Sequence, residues 1–171
     1  MKTEIVFLAK RPDLILTLAG WFSQSWEPYY GQEGPGDAVS DLEASCNKDQ
    51  LPLCLVTLDA DGKACGTASL KVRDVSDQFN FGPWLAAVVA PAKSAGRDVI
   101  DGLIAAISEE AKRLGYKAIY CDANIEETMA SPDCWEEVNA TLLVNRGWVK
   151  IGKSESLRGA TAIYKYSFKK S

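Results

Sequence analysis

Apolar residues recur along this chain in two rhythms, and the switches between them mark its elements. EIVFLA (4–9) is a continuous apolar run of strand length. Pro12 and Asp13 then open a helical stretch in which Leu14, Leu18, Trp21, Phe22 and Trp26 return at helical spacing. EPYYGQEGPG (27–36) interrupts that spacing with glycine and proline and predicts a loop. Asp37 can cap a second, short helix through AVSDLEAS. LPLCLVTLDADGKACGTASLKV (51–72) predicts a hairpin turning at Asp61-Gly62, and polar RDVSDQFNFGP separates it from a strand at 84–90.

The clearest helix follows. Val99, Ile100, Leu103, Ile104, Ile107, Ala111 and Leu114 form one face, Glu109, Lys112 and Arg113 lie largely off it, and Gly115 ends it. KAIYCDA (117–123) is the next strand. Beyond polar NIEETMASPD, Ser131-Pro132 reads as an N-cap and first helical proline, predicting a helix to Arg146 stopped by Gly147. WVKIGKSE and ATAIYKYSF predict a C-terminal hairpin around SLRG. The predicted order is β-α-α-β-β-β-α-β-α-β-β, a mixed α/β (α+β) fold whose central mixed sheet of about seven strands is flanked by about four helices.

Composition narrows the class. A chain of 171 residues that is 47% hydrophobic suits one domain over 1–171 with a substantial core. A net charge of −4 without a basic stripe argues against nucleic acid as partner. No apolar run reaches the roughly 18 residues of a membrane span, and MKTEIVFLAKRPD is too soon interrupted by charge for a signal peptide, so a cytosolic protein is expected. Five cysteines without a C-x-x-C pair read as reduced thiols, mostly in the core. The absence of histidine removes Ser-His-Asp and Cys-His relays and nearly all common transition-metal sites, so no metal is expected. Chemistry must come from carboxylates, hydroxyls, thiols, amines or a cofactor.

WLAAVVAPAKSAGRDVIDGLI (84–104) runs from a strand through small residues into a helix, which offers unpaired N–H groups and the positive end of a helix dipole to a phosphate. Lys93 and Arg97 would help an anion there. Asp98 and Asp101 would satisfy the dipole themselves, and a carboxylate about 4 Å from a phosphate charge costs roughly 4 kcal/mol at an effective dielectric of 20. A plain connection is the alternative reading. DADG (59–62) opens like a calcium loop but has no Glu at the twelfth position, so a hairpin turn explains it.

Over nearly its whole length the sequence resembles the GNAT N-acetyltransferase superfamily. PWLAAVVAPAKSAGRDVIDGLIAAISEEAKRLGYKAIY is similar to that family's fourth strand, acetyl-CoA loop, long helix and next strand. LLVNRGWVKIGK is similar to its late helix, Gly-aromatic junction and following strand, and LPLCLVTLDADGKACGTASL to its second and third strands. The resemblance implies acetyl-CoA as co-substrate, its pantetheine paired with the backbone of Ala87, Val88 and Val89 on a fourth strand splayed from the fifth. It implies a pyrophosphate loop over Lys93, Ser94, Ala95, Gly96, Arg97, Asp98 and Val99. One register puts Ala95 where the family has Arg or Gln, with Asp98 and Ile100 at its small positions; another gives Lys93, Gly96 and Asp98.

The reaction so implied is direct attack of an amine on the thioester, with the Val88 N–H polarising the carbonyl. The family's late-helix tyrosine is Leu143 here, and its asparagine seven residues earlier is Glu136. Glu27 and Asp74 are the acids placed to face a substrate cleft, and Tyr29 and Tyr30 could line it; surface charge and aromatic loop packing are the plainer readings. Tyr116, Tyr120, Tyr164 and Tyr166 are strand-packing residues by default. The expected partner is a small-molecule or peptide amine, with neither nucleic acid nor membrane and with a homodimer left open. The alternative is a GNAT-fold binding or regulatory module that has lost catalysis.

Overall fold

In the computed structural model, residues 2–72, 80–91, 96–124, 135–156 and 159–169 are described. Among them eight strands form one sheet: β1 (Glu4–Phe7), β2 (Leu53–Leu58), β3 (Ala64–Lys71), β4 (Trp84–Pro91), β5 (Ala118–Asn124), β6 (Trp135–Glu137), β7 (Val149–Ser156) and β8 (Gly159–Ser167). Their spatial order is β1-β2-β3-β4-β5-β8-β7, with β6 attached to β4. Only β4 and β5 pair in parallel, as expected of two strands joined through a helix. Helices are α1 (Ile15–Ser25), α2 (Glu27–Tyr30), α3 (Ala38–Ala44), α4 (Gly96–Arg113) and α5 (Ala140–Asn145). None is long and apolar enough to cross a membrane.

Helices cover both faces of the sheet, which explains why β2 is buried at every position rather than alternating. Leu53 and Leu55 face the main core, where α4 lays Val99, Ile100, Leu103, Ile104, Ile107 and Ala111 on the sheet. Cys54, Val56 and Leu58 face the other way, into a second cluster with Leu18, Phe22 and Leu42 of α1 and α3. Gly66 of β3 permits the first contact, because a Cβ there would run into Val99 Cγ1 and come within 3.2 Å of Leu103 Cδ1. α4 therefore lies close over β3 and brings its N-terminus beside the end of β4.

Local signals in the sequence are met by the expected atoms. The Asp37 carboxylate accepts from the Ser40 N–H at 3.0 Å and caps α3. The hairpin turns through Gly62 at φ 78°, a left-handed conformation that glycine adopts without strain. α5 ends in a Schellman pair, Trp148 N–H to Leu143 C=O and Gly147 N–H to Val144 C=O, both 3.0 Å, with Gly147 at φ 87°.

Two segments differ from expectation. Residues 27–30, expected in a loop, form the single helical turn α2, since Pro28 is tolerated in a first turn and the Tyr30 N–H reaches the Trp26 C=O at 2.8 Å. Of the helix expected over 131–146, the described residues show a helix at Ala140–Asn145, while Trp135–Glu137 pair with β4 as a strand. Asn139 is the N-cap, its side-chain oxygen accepting from the Leu142 N–H at 2.9 Å. Ser131-Pro132 lie outside the described residues.

Candidate active site

β4 carries an irregularity at its middle. Its register with β3 runs from Ser69↔Ala86 to Thr67↔Val89, so Ala87 and Val88 stand against the single Ala68. Ala87 accommodates this bulge at φ 52°, a left-handed conformation that strains a residue with a Cβ. Two residues are thus released from the β3 ladder. Ala87→Gly removes the strain and is expected to raise the unfolding free energy by about 0.5–1 kcal/mol, read as a higher denaturant midpoint at unchanged slope.

Between Trp84 and Val89 the opposite edge of β4 has no register partner among the described residues, because β4 and β5 are in register only at Trp84↔Tyr120. From there the two strands diverge, and the bulge sits in the resulting gap. β6 enters the gap farther along, pairing antiparallel with Val89, Ala90 and Pro91. Side chains around the bulge divide between the two cores: Val88 and Ala90 go to the α4 side, Ala87 and Val89 to the α1 side.

At the far end of the gap α4 begins at Gly96, so the N–H groups of Gly96, Arg97, Asp98 and Val99 start the helix without partners four residues back in the helix. Beside this end an open cleft of about 520 Å³ is lined by Arg97, Asp98, Asp101, Leu142, Asn145 and Arg146. Arg97 and Asp98 are exposed. Arg146 grips Asp101 with two hydrogen bonds, Nε to Oδ1 at 2.6 Å and Nη2 to Oδ2 at 2.8 Å. That guanidinium holds the Asp101 carboxyl below the ordinary carboxylate range. A carboxyl depressed in the folded state stabilises above its unfolded value, near pH 4, and loses that contribution as acid protonates it. With Asp101 41% exposed, Asp101→Asn should cost less than about 1 kcal/mol at neutral pH and flatten the acid limb of the stability curve.

The residues expected to line a substrate cleft fall on the α1 side. Tyr30 is buried, and its hydroxyl donates to Asp41 Oδ2 at 2.6 Å; burial first, then Asp41, pushes the phenol up. Tyr29 is half-buried and meets the Tyr30 ring edge-on at 4.7 Å between centroids. Both belong to the same apolar cluster as Ala87 and Val89. Glu27 is exposed at the start of α2. Asp74, Lys93, Ser94 and Ala95 lie outside the described residues. Leu143 is fully buried in the main core, where a polar group would have no role. Half-buried Lys71, its pKa lowered by burial and partly restored by Asp41, was not singled out in the sequence. Asp101 was read only as a charge on the α4 dipole and Arg146 only as the end of the late helix, and their pairing was not foreseen.

Chemically, the open edge of β4 can receive an extended amide-bearing chain as an added strand, and the start of α4 suits an anionic group at that chain's end. The fold that presents them is that of N-acetyltransferases of known structure. A Salmonella typhimurium protein solved with its cofactor acetyl-CoA is 14% identical, aligning over 100% of this chain and 96% of its own with a TM-score of 0.71. An aminoglycoside 6′-N-acetyltransferase complexed with coenzyme A is also 14% identical, over 98% of this chain and 97% of its own, with a TM-score of 0.65. Mutant forms of the spermidine/spermine N-acetyltransferase of Vibrio cholerae align at 15% identity over 97% and 95%, with a TM-score of 0.65. No protein-family model and no curated protein matches the sequence. The mixed sheet and flanking helices expected from the sequence are therefore present as the GNAT fold.

Proposed function

We infer that the chain, acting as one domain over 1–171, is a cytosolic acetyl-CoA-dependent N-acetyltransferase that acylates a small-molecule or peptide amine by direct attack. The observation that carries this reading is the bulge at Ala87 and Val88 facing the gap between β4 and β5, with the start of α4 at the gap's end. Acetyl-CoA supplies an activated acyl group as a thioester. The chain's part is to bind and align: Ala87, Val88 and Val89 offer backbone groups to the pantetheine, and the Val88 N–H polarises the thioester carbonyl. Lys93, Ser94, Ala95, Gly96, Arg97, Asp98 and Val99 form the phosphate-binding turn, with Arg97 supplying positive charge and Asp98 directed to solvent. Glu27 or Asp74 takes a proton from the substrate ammonium, the neutral amine attacks the carbonyl as the C–S bond breaks, and the coenzyme A thiolate leaves and is protonated from solvent; Tyr29 and the ring of Tyr30 line the acceptor side. Such alignment is worth about 7–11 kcal/mol of barrier in favourable cases, so turnover does not require the missing late-helix tyrosine.

A second reading, a GNAT-fold binding or regulatory module without turnover, is favoured by one observation: the family's acid position is Leu143, sealed in the core. Thiol release from acetyl-CoA, followed across a panel of polyamines, aminosugars and peptide N-termini, separates the two. Amine-dependent release supports the enzyme. Ligand binding with no release above the hydrolytic background for any amine supports the module.

A further inference from the structure

β6 occupies the part of β4 that an acyl carrier would have to pass. Val89 is in register with Thr67 of β3 on one side and with Glu137 of β6 on the other, so β6 must use the edge turned towards β5. It covers Val89, Ala90 and Pro91. In chain order these stand between the bulge at Ala87 and Val88 and the start of α4 at Gly96. Any extended ligand that reaches from the bulge to the helix N-terminus therefore meets β6 in its path, and at Val89 the two claim the same backbone.

The attachment of β6 is built to come away. It is three residues long, at the short end of strand lengths, and among the described strands it pairs only with β4. Two residues later α5 starts with its own cap at Asn139, so releasing β6 leaves that helix terminated as before. Val138, Ala140 and Leu142 pack against the main core and hold α5 in place independently.

We propose that Trp135–Glu137 is an autoinhibitory strand that competes with the acyl carrier for the edge of β4 and is displaced when the carrier binds. This rests on the reading of that edge as the carrier's binding strand. The consequence is a carrier affinity set by the difference between two strand pairings, and open to tuning by anything that holds or releases the segment.

The test uses coenzyme A and the full chain. In the double variant Glu136→Pro/Glu137→Pro both N–H donors at those positions are gone, whichever of them bonds to β4. Calorimetry should show this variant binding coenzyme A at least tenfold more tightly than the wild type. Hydrogen exchange on the wild type should show the amides at 135–137 losing protection when coenzyme A is added, while those of Thr67 and Val56 in the β2–β3 ladder keep theirs. Equal affinity in a folded variant, or amides at 135–137 that stay protected in the bound wild type, overturns the competition and leaves the carrier site standing. Absence of coenzyme A binding in both proteins overturns the strand's role and the carrier reading together. The exchange measurement needs no variant and decides the matter even if the double proline fails to fold.

Discussion

Gly66→Val is expected to lower the unfolding free energy by about 2–3 kcal/mol and the melting temperature by about 5–10 °C. The cause is overpacking at one crossing. Already the Cβ of alanine at this position would collide with Val99 Cγ1, and Leu103 Cδ1 would stand 3.2 Å away. Both partners are buried side chains of α4, with Val99 6% and Leu103 0% exposed, so neither can swing into solvent. Valine adds two methyl groups to that collision, and α4 must lift from β3. The lifted end is the one that begins at Gly96, which couples the packing defect to the site. Thermal unfolding followed by circular dichroism checks the first effect. Coenzyme A affinity of the folded variant, below its melting point, should fall as well.

Val88→Pro has the largest expected effect on binding. Val88 lies in the bulge, outside the register pairs of β3 with β4, which is where a sheet tolerates proline best. The substitution removes the one N–H assigned to the thioester carbonyl and drives Ala87 away from its φ of 52°, since a residue before proline prefers extended backbone. Losing a hydrogen bond and leaving its acceptor unsatisfied costs about 1–3 kcal/mol, so coenzyme A thioester affinity should drop about tenfold to hundredfold. Val88→Ala is the control. It shortens a side chain that faces the main core, lowers stability, and keeps the N–H, so its affinity should stay within about threefold of wild type.

What the chain announces in its sequence is what depends on near neighbours. The face of α4 is legible because seven apolar residues repeat at helical spacing; six of them are buried, and Leu114, just past the helix end, is half-buried. Asp37, Gly62 and Gly147 are legible because capping and left-handed turns need those residue types, and each fills the expected role. β6 is not, since nothing within WEEV asks for a strand. Its pairing exists because β5 leaves β4 after Trp84↔Tyr120 and exposes an edge 44 to 48 residues away in the chain. The helical turn at Glu27–Tyr30 was hidden by the glycines just beyond it, although its proline sits where a first turn accepts one.

The candidate site divides along the same line. Its backbone part could be placed from the order of strand, turn and helix, because main-chain groups come with the element whatever the side chains. The bulge could not, as an alanine at positive φ leaves no signature in the sequence. The Arg146–Asp101 pair joins residues 45 apart on two helices, a juxtaposition created only by packing. Tyr29 and Tyr30 read equally as pocket residues or as packing, and no local signal foretold that the Tyr30 hydroxyl goes to Asp41.

All of this turns on whether the edge of β4 and the first turn of α4 together hold a thioester carrier. Calorimetric titration of the wild-type chain with acetyl-CoA tests that directly. The account predicts saturable one-to-one binding in the micromolar range, weakened by salt as a phosphate-bearing ligand requires. No heat of binding up to millimolar acetyl-CoA would contradict it.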